Sequence, residues 1–285
     1  MNLSEIKKIG IVGAGTMGQG IAQICAMADL HVVLYDINAA MLVTAKKLIT
    51  RNLDKGIERG KVSEEVKKTT LENIGFSSEF DDLKADVVIE AIVEKLEIKQ
   101  SLFQKLEALN GADTILASNT SSIPITRIGA SLERPEQFVG MHFFNPAHIM
   151  KLVEVISGAA TSPQVARLIN ELAKKLGKVP VMAKDAPGFI VNRVARHFYV
   201  EGLKVLEEGV ADVEAIDRLV EASGFRMGPF RLMDLIGVDT NFSVTSSMFE
   251  AFHQDGKFRP SRIQEQKVDA GHHGRKSGRG FYNYK

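Results

Sequence analysis

The chain has 285 residues, with 36 Lys and Arg against 35 Asp and Glu, so its formal net charge is +1. This balance excludes a general electrostatic attraction to nucleic acid or to an acidic membrane surface. With 45% hydrophobic residues, a chain of this length can form two domains with a substantial core.

Cys25 is the only cysteine, so the chain cannot form an internal disulfide, which fits a reducing compartment. The first apolar run begins at residue 9 and leaves no room for a signal peptide. No apolar run approaches the ~20 residues that span a bilayer. We therefore expect a cytoplasmic protein without a membrane segment.

Residues 9–36 form the most informative stretch. The apolar run 9–12 predicts a buried parallel strand, and Gly13, Gly15 and Gly18 then fill a G-x-G-x-x-G pattern. A helical pattern follows, and a second apolar run, residues 32–35, ends on Asp36. Strand, glycine triplet, helix, strand and terminal acid in this order predict a dinucleotide-binding unit, whereas a lone triplet is a weak signal.

Each part of this unit has a physical role. Gly13 permits a tight turn, Gly15 lets the backbone approach a pyrophosphate, and Gly18 allows the helix to pack closely on the sheet. The free N–H groups at the start of the helix hold the phosphates. Asp36 lies 18 residues after Gly18, where it would accept the ribose hydroxyls and repel a 2′-phosphate. The cofactor is therefore predicted to be NAD rather than NADP.

Residues 38–70 are helical in pattern and heavily charged. Gly56, Gly60 and Ser63 indicate a break, which favours a pair of helices over a single one. Two interpretations of this helical arm stay open. It is either a solvated surface element, or its basic face meets the phosphates of a nucleotide-tailed substrate.

The next buried strands are predicted at residues 85–91 and 114–118, with a helix between them. The second run ends in the polar turn 119–122, at the kind of position where open parallel sheets bind ligands. Two further extended runs, 137–144 and 151–156, contain His142 and Glu154. If these two strands are neighbours, the two side chains come within hydrogen-bonding reach.

A helix over residues 163–176 and a strand over 178–181 complete the predicted sheet domain. Residues 184–188 carry a helix-start signal, with Asp185 shortly before Pro187, and the pattern beyond them is helical. The fold class is therefore α/β: a Rossmann-like doubly wound sheet in residues 1–185, followed by an all-α domain in residues 186–285. We expect the helical domain to bury its remaining apolar surface in a homodimer.

A nicotinamide-dependent enzyme that oxidises an alcohol needs a base for the hydroxyl proton. His142 with Glu154 behind it would supply that base, although a histidine in an apolar run is more often a satisfied core residue. The turn 119–122 would supply hydroxyl donors. His272 and His273 lack a supporting cluster of ligands, so no metal site is predicted.

With these residues in place, the chain resembles the short-chain L-3-hydroxyacyl-CoA dehydrogenases. The motifs that carry the resemblance occur in order along nearly the whole chain: Gly13-Ala14-Gly15-Thr16-Met17-Gly18, Ile89-Glu90-Ala91-Ile92-Val93-Glu94, Ser118-Asn119-Thr120-Ser121-Ser122, Met141-His142-Phe143-Phe144-Asn145-Pro146, Lys151-Leu152-Val153-Glu154-Val155-Ile156 and Asp185-Ala186-Pro187-Gly188-Phe189-Ile190-Val191-Asn192-Arg193. The C-terminal segments Met227-Gly228-Pro229-Phe230 and residues 274–282 fit as well.

This resemblance implies NAD-dependent interconversion of (S)-3-hydroxyacyl-CoA and 3-oxoacyl-CoA, and the chain looks most similar to the stand-alone 3-hydroxybutyryl-CoA dehydrogenases. By the same resemblance, His142 is the catalytic histidine and Glu154 its orienting carboxylate. Ser121 and Asn192 fall at the family's contacts to the substrate oxygens.

The resemblance also implies a set of cofactor contacts: Gly13, Ala14, Gly15, Thr16, Met17, Gly18, Asp36, Glu94, Lys99, Ser121, Asn145 and Lys276. In the helical arm the chain departs from the family, which places a serine and a lysine against the CoA nucleotide. Asn52 and Arg59 are the nearest counterparts here, and both side chains can hydrogen-bond to phosphate.

Two alternative functions remain. The same fold can act on a hydroxyadipyl-type thioester or a sugar acid, or it can bind a dinucleotide without turnover. The intact set of Ser121, His142, Glu154 and Asn192 argues against the non-catalytic alternative.

Overall fold

The computed structural model describes residues 1–284. The chain divides into two compact units, Met1–Ala186 and Pro187–Lys285. The division falls one residue after the boundary predicted at residue 185. Within the described residues no helix is both long and apolar enough to cross a bilayer.

The first unit contains one sheet of eight strands. They are β1 (Lys8–Val12), β2 (His31–Tyr35), β3 (Ile74–Ser77), β4 (Val87–Glu90), β5 (Ile115–Ser118), β6 (Phe138–Phe143), β7 (Leu152–Ser157) and β8 (Val179–Lys184). Their spatial order is β3-β2-β1-β4-β5-β6-β7-β8. Neighbouring strands are parallel except for β6 and β7, which are antiparallel.

Six helices accompany this sheet: α1 (Thr16–Met27), α2 (Ala39–Glu58), α3 (Glu64–Glu72), α4 (Leu96–Leu109), α5 (Ile125–Gly129) and α6 (Pro163–Lys175). The arm predicted over residues 38–70 is a pair of helices, α2 and α3. Asn38 and Ser63 accept hydrogen bonds from the first-turn amides of these two helices, as N-cap residues do. Together with the sheet, the helices give the Rossmann-type fold expected from the sequence.

Strand β3 is a correction to the predicted element order, which placed only helices between β2 and β4. It has four residues, pairs with β2 at the edge of the sheet, and buries only Ile74. A strand this short, with a glycine and a serine among its residues, carries neither a long apolar run nor a clear alternation. Tertiary pairing with β2 decides its conformation.

The order of the strands places a ligand crevice beside β1. The chain moves from β1 to β2 on one side and returns to β4 on the other, so the loops that follow β1 and β4 diverge there. At the strand ends themselves the two chains are still packed together, because a β-carbon on Gly13 would lie 2.7 Å from the carbonyl oxygen of Ala91. Such a switch point at the carboxyl ends of the strands is where open α/β sheets bind ligands.

The second unit is helical, with α7 (Val191–Glu207), α8 (Val213–Ala222), α9 (Pro229–Ile236), α10 (Val238–Ala251) and α11 (Arg262–Asp269). Its core includes Phe230 and Met233 of α9. The buried carboxylate of Asp234 accepts hydrogen bonds from the backbone N–H groups of Phe281 and Tyr282, at 2.9 Å each. These bonds attach the C-terminal segment to α9.

The helix start predicted at residues 184–188 is wrong in position, because α7 begins only at Val191. Asp185 belongs to a different helix start. Its carboxylate accepts hydrogen bonds from the backbone N–H groups of Ile125 (3.1 Å) and Thr126 (2.8 Å), where α5 begins. A carboxylate at this end of a helix satisfies amides that have no partner within the helix.

Candidate active site

The glycine loop between β1 and α1 has two kinds of glycine. A β-carbon on Gly18 would lie 1.7 Å from the carbonyl oxygen of Gly13, so the close approach of strand and helix requires glycine there. A β-carbon on Gly15 would meet no protein atom within 4 Å. Packing within the protein therefore does not require Gly15. The open space above it fits a group that approaches the backbone at the N-terminus of α1, as a pyrophosphate does.

Asp36 is attached to this loop at the end of β2. Its Oδ2 accepts a hydrogen bond from the N–H of Ala14 (2.8 Å), and its Oδ1 accepts one from the N–H of Asn38 (2.9 Å). Each carboxylate oxygen can accept a second hydrogen bond, so the side chain keeps capacity for ribose hydroxyls. The structure thus places the predicted ribose contact beside the predicted pyrophosphate loop.

His142 and Glu154 lie directly opposite each other on the antiparallel strands β6 and β7. The distance from Nδ1 of His142 to Oε2 of Glu154 is 2.8 Å, and the two side chains are only 7% and 1% exposed. With Nδ1–H donated to the carboxylate, the neutral imidazole is in the tautomer whose Nε2 can accept a proton. This pair has the geometry of a histidine base and its orienting group.

The turn after β5 is joined to the end of β6. Oδ1 of Asn119 accepts a hydrogen bond from the N–H of Phe143 (2.8 Å), the residue after His142. Because β5 and β6 are parallel neighbours, their carboxyl ends lie at the same edge of the sheet. Residues 119–122 and His142 are therefore held at one edge, with Asn119 as the connection between the two strand ends.

Glu94 organises the rest of this turn. Its Oε1 accepts hydrogen bonds from the hydroxyl of Thr120 (2.6 Å) and from the backbone N–H groups of Ser121 (3.0 Å) and Ser122 (3.1 Å). The hydroxyl of Ser122 donates a fourth bond to the same oxygen at 3.0 Å. The conformation of the turn that carries Ser121 therefore depends on one carboxylate oxygen.

Lys99 connects Glu94 to a buried carboxylate at the end of β4. Its ammonium lies 2.5 Å from Oε1 of Glu90 and 3.2 Å from Oε2 of Glu94, and the Lys99 side chain is 1% exposed. Ser118 donates to the second oxygen of Glu90 at 2.6 Å. The functional interpretation of the sequence missed Glu90. The available signal was a charged residue that ends an otherwise apolar run.

These contacts set the protonation of Glu94. Burial alone would raise the pKa of its carboxyl group, but the Lys99 ammonium and the hydrogen bonds from Thr120 and Ser122 outweigh that effect and lower the pKa. Glu94 therefore remains ionised, and able to accept all four hydrogen bonds, under mildly acidic conditions.

Glu94→Gln is expected to make stability less dependent on pH. Because the folded-state pKa of Glu94 lies below its usual value of 4.5, the unfolded chain binds more protons between these values, and stability is lost as the pH falls through that range. The free energy of unfolding, measured by urea titration at pH 7 and at pH 4, should therefore fall less in Glu94→Gln than in the wild type. Glu97→Gln, an exposed position at the start of α4, is the matched control. An equal fall in both variants would contradict the assignment.

The remaining predicted contacts lie in different places. Asn145 is exposed, two residues beyond the end of β6. The amide nitrogen of Asn52 lies 3.5 Å from Oε1 of Gln23, on α1, and Arg59 is exposed at the end of α2. In the second unit, Asn192 is the second residue of α7, and the ammonium of Lys276 pairs with both carboxylate oxygens of Asp239 at 2.7 and 2.8 Å.

The first unit combines a glycine loop, an acid at the end of β2 and a buried histidine–carboxylate pair, all on a Rossmann-type sheet. These features define an NAD-dependent dehydrogenase. Residues 8–186 match the family profile described as 3-hydroxyacyl-CoA dehydrogenase, NAD binding domain. Residues 188–284 match the profile of the C-terminal domain of the same enzymes. The chain belongs to the 3-hydroxyacyl-CoA dehydrogenase family.

Individual relatives agree with this assignment. The chain is 46% identical to the 3-hydroxyadipyl-CoA dehydrogenase of Escherichia coli over 99% of its own length, but it spans only 60% of that longer protein. It is 44% identical to a probable 3-hydroxybutyryl-CoA dehydrogenase of Deinococcus radiodurans, over 97% of this chain and 100% of the relative. The crystal structure of (S)-3-hydroxybutyryl-CoA dehydrogenase from Ralstonia eutropha superposes with a TM-score of 0.95 at 42% identity, covering 99% of this chain and 100% of the other.

Proposed function

We propose that this protein oxidises (S)-3-hydroxybutyryl-CoA to acetoacetyl-CoA with NAD, and catalyses the reverse reduction with NADH. The observation that carries the proposal is the buried pair His142–Glu154 at the ligand edge of a dinucleotide-binding sheet. The substrate class is supported by the names of the full-length relatives from Deinococcus radiodurans and Ralstonia eutropha.

In the oxidation, Nε2 of His142 takes the proton of the C3 hydroxyl group while the C3–H bond breaks and the C3 carbonyl forms. NAD held by the glycine loop and Asp36 would supply the acceptor for the hydride from C3. Glu154 holds Nδ1–H and stabilises the positive charge that develops on the imidazole ring. In the reduction, the same imidazolium returns the proton to the C3 oxygen as hydride arrives.

Two polar side chains are the proposed substrate contacts. Ser121 and Asn192 are proposed to donate hydrogen bonds to the 3-oxygen and the thioester carbonyl, where negative charge develops during the reaction. Support for the role of Ser121 comes from the four hydrogen bonds to Glu94, which restrict the turn on which it lies. A restricted donor needs little reorganisation when the charge develops.

For the cofactor, we propose contacts from the glycine loop, Asp36, Glu94, Asn145 and Lys276. We propose that Lys99 acts indirectly, because its ammonium is buried between two carboxylates. In this position it neutralises Glu94 and keeps that side chain oriented toward the turn. Asn52 and Arg59 remain the proposed contacts to the CoA nucleotide on the helical arm.

One observation favours a second substrate. The Escherichia coli relative at 46% identity is named 3-hydroxyadipyl-CoA dehydrogenase. A hydroxyadipyl-type thioester differs from 3-hydroxybutyryl-CoA in its longer acyl chain with a terminal carboxylate. The same His142–Glu154 chemistry would serve both compounds, so acyl length and charge become a separate question.

The test follows absorbance at 340 nm while purified protein consumes NADH with acetoacetyl-CoA, and in parallel with NADPH, with 3-oxoadipyl-CoA and with free acetoacetate. Fast loss of NADH with acetoacetyl-CoA, and slow loss with NADPH and with free acetoacetate, is the expected result. A higher kcat/KM for 3-oxoadipyl-CoA would favour the second substrate. Absence of turnover with every compound, despite tight NADH binding, would contradict the proposed activity.

The predicted homodimer and cytoplasmic location are also part of this proposal. Exposed apolar side chains of the second unit support the dimer: Leu219 is 73% exposed and Phe225 is 57% exposed in the isolated chain. Apolar surface of this kind favours association with a second copy. Cys25 is the single cysteine, so the chain has no internal disulfide. It is buried, and burial raises the pKa of its thiol to about 12.

A further inference from the structure

A buried lysine holds the loop that follows His142. This 145–150 loop, residues 145–150, connects β6 to β7 and folds back on itself, with the N–H groups of Ile149 and Met150 both donating to the carbonyl of Pro146 at 2.9 Å. Lys178, just before β8, donates from Nζ to the carbonyl oxygens of Ala147 at 2.5 Å and Met150 at 2.9 Å. The ammonium group thereby connects two points of the loop, Ala147 and Met150.

Lys178 is an unusual group for this position. The residue is only 9% exposed, and it makes no ion pair within residues 1–284. Burial lowers its pKa below the ordinary value for lysine, although the nearby Cys25 acts in the opposite direction. A buried cation without a counter-ion is costly, and an apolar side chain of similar volume would often be tolerated or preferred. The presence of lysine at this position therefore indicates that its two hydrogen bonds to the loop have a specific function.

The loop also packs against α1. Ala147 is 1% exposed, and a β-carbon on Gly20 would lie 3.1 Å from the β-carbon of Ala147. The helix that begins at the glycine loop therefore contacts the 145–150 loop directly. Lys178 and Gly20 thus both contact the loop at Ala147, and Asn145 lies two residues away.

We propose that Lys178 is a positioning residue for the nicotinamide cofactor: it holds the 145–150 loop against α1, and thereby sets the position of Asn145 relative to the glycine loop. This inference rests on the proposed role of Asn145 as a cofactor contact. His142 itself is positioned independently, by its register with Glu154 in the sheet.

The backbone around Lys178 is held by hydrogen bonds that do not involve its ammonium group. The backbone N–H of Lys178 donates to the carbonyl oxygen of Ala173, near the end of α6, at 3.0 Å. The N–H of Val179 donates to the carbonyl oxygen of Lys151, where β8 begins to pair with β7, at 2.8 Å. These main-chain bonds do not need the ammonium. Replacing Lys178 with methionine therefore removes the bonds to the loop and keeps the local fold.

The experiment measures the Kd for NADH by fluorescence titration, without acyl-CoA, in wild type, Lys178→Met, Gly20→Ala and the double variant. Lys175→Met, an exposed lysine at the end of α6, is the control. The expected result is an increase in Kd of about tenfold for Lys178→Met, as for the loss of charge-assisted hydrogen bonds, with the Kd of the control unchanged. Gly20→Ala should raise the Kd severalfold, and the double variant should raise it by less than the product, because both changes displace one loop.

An unchanged Kd in Lys178→Met, even with a lower Tm, would overturn the inference. If that variant does not fold, Gly20→Ala decides, because alanine suits a helix interior and only the loop must move; an unchanged Kd there has the same meaning. Failure of the proposed function gives a distinct pattern, in which the wild type binds NADH and Lys178→Met weakens binding, but no acyl-CoA is turned over.

Discussion

His142→Gln is expected to lower kcat for the reduction of acetoacetyl-CoA by about 10²- to 10⁴-fold, which is the typical contribution of a general acid or base. Glutamine retains hydrogen-bonding atoms but cannot carry the proton between solvent and the C3 oxygen. The Kd for NADH should stay within about twofold, because the hydrogen bonds between Asp36 and the backbone of Ala14 and Asn38 do not involve the imidazole. Stopped-flow or steady-state absorbance at 340 nm and a fluorescence titration measure the two quantities.

Glu154→Gln is the matched variant for this prediction. It keeps the shape of the buried side chain opposite His142 and removes the negative charge that stabilises the imidazolium. We expect a smaller loss of kcat than in His142→Gln, together with a displaced pH profile of kcat/KM. Unaltered turnover in His142→Gln would remove this residue from the mechanism and leave the fold and cofactor assignment in place.

Two glycine substitutions in the same loop are expected to affect different properties: Gly18→Ala the stability, and Gly15→Ala the binding of NADH. Gly18→Ala should lower the free energy of unfolding by about 3 kcal/mol, because its β-carbon would overlap the carbonyl oxygen of Gly13 and force β1 and α1 apart. Gly15→Ala should leave that free energy within about 0.5 kcal/mol of the wild type, because its β-carbon meets no protein atom. Gly15→Ala should instead raise the Kd for NADH by at least about tenfold, since the methyl group occupies the space for the pyrophosphate.

Urea denaturation and NADH fluorescence titration distinguish these outcomes, and each variant is the control for the other. A Gly15→Ala protein that binds NADH normally would show that the open space above this residue is not the phosphate site. A Gly18→Ala protein as stable as the wild type would show that the turn after β1 can relax around a methyl group.

Patterns with short range in the sequence predicted the cofactor half of the site. The apolar run of β1, the glycine triplet, the periodicity of α1 and the acid after β2 all lie within residues 8–36, and each is governed by local backbone geometry or side-chain periodicity. The order of motifs predicted the family, which the comparisons confirm. The candidate pair His142 and Glu154 also followed from two extended runs, but their pairing depended on the strands being neighbours.

Only the tertiary structure could decide which distant groups meet. Asp185 lies 60 and 59 residues from the amides it binds, so a local pattern assigned it to the wrong helix. Lys178 lies 31 and 28 residues from its carbonyl partners, and nothing in its neighbours along the chain indicates a buried ammonium. The sequence predicts Lys99 to be a cationic contact to the cofactor, whereas the fold buries its ammonium group between Glu90 and Glu94. Periodicity and turn chemistry are properties of a segment, but a buried charge needs a partner, and the order of strands in the sheet determines which partner is within reach.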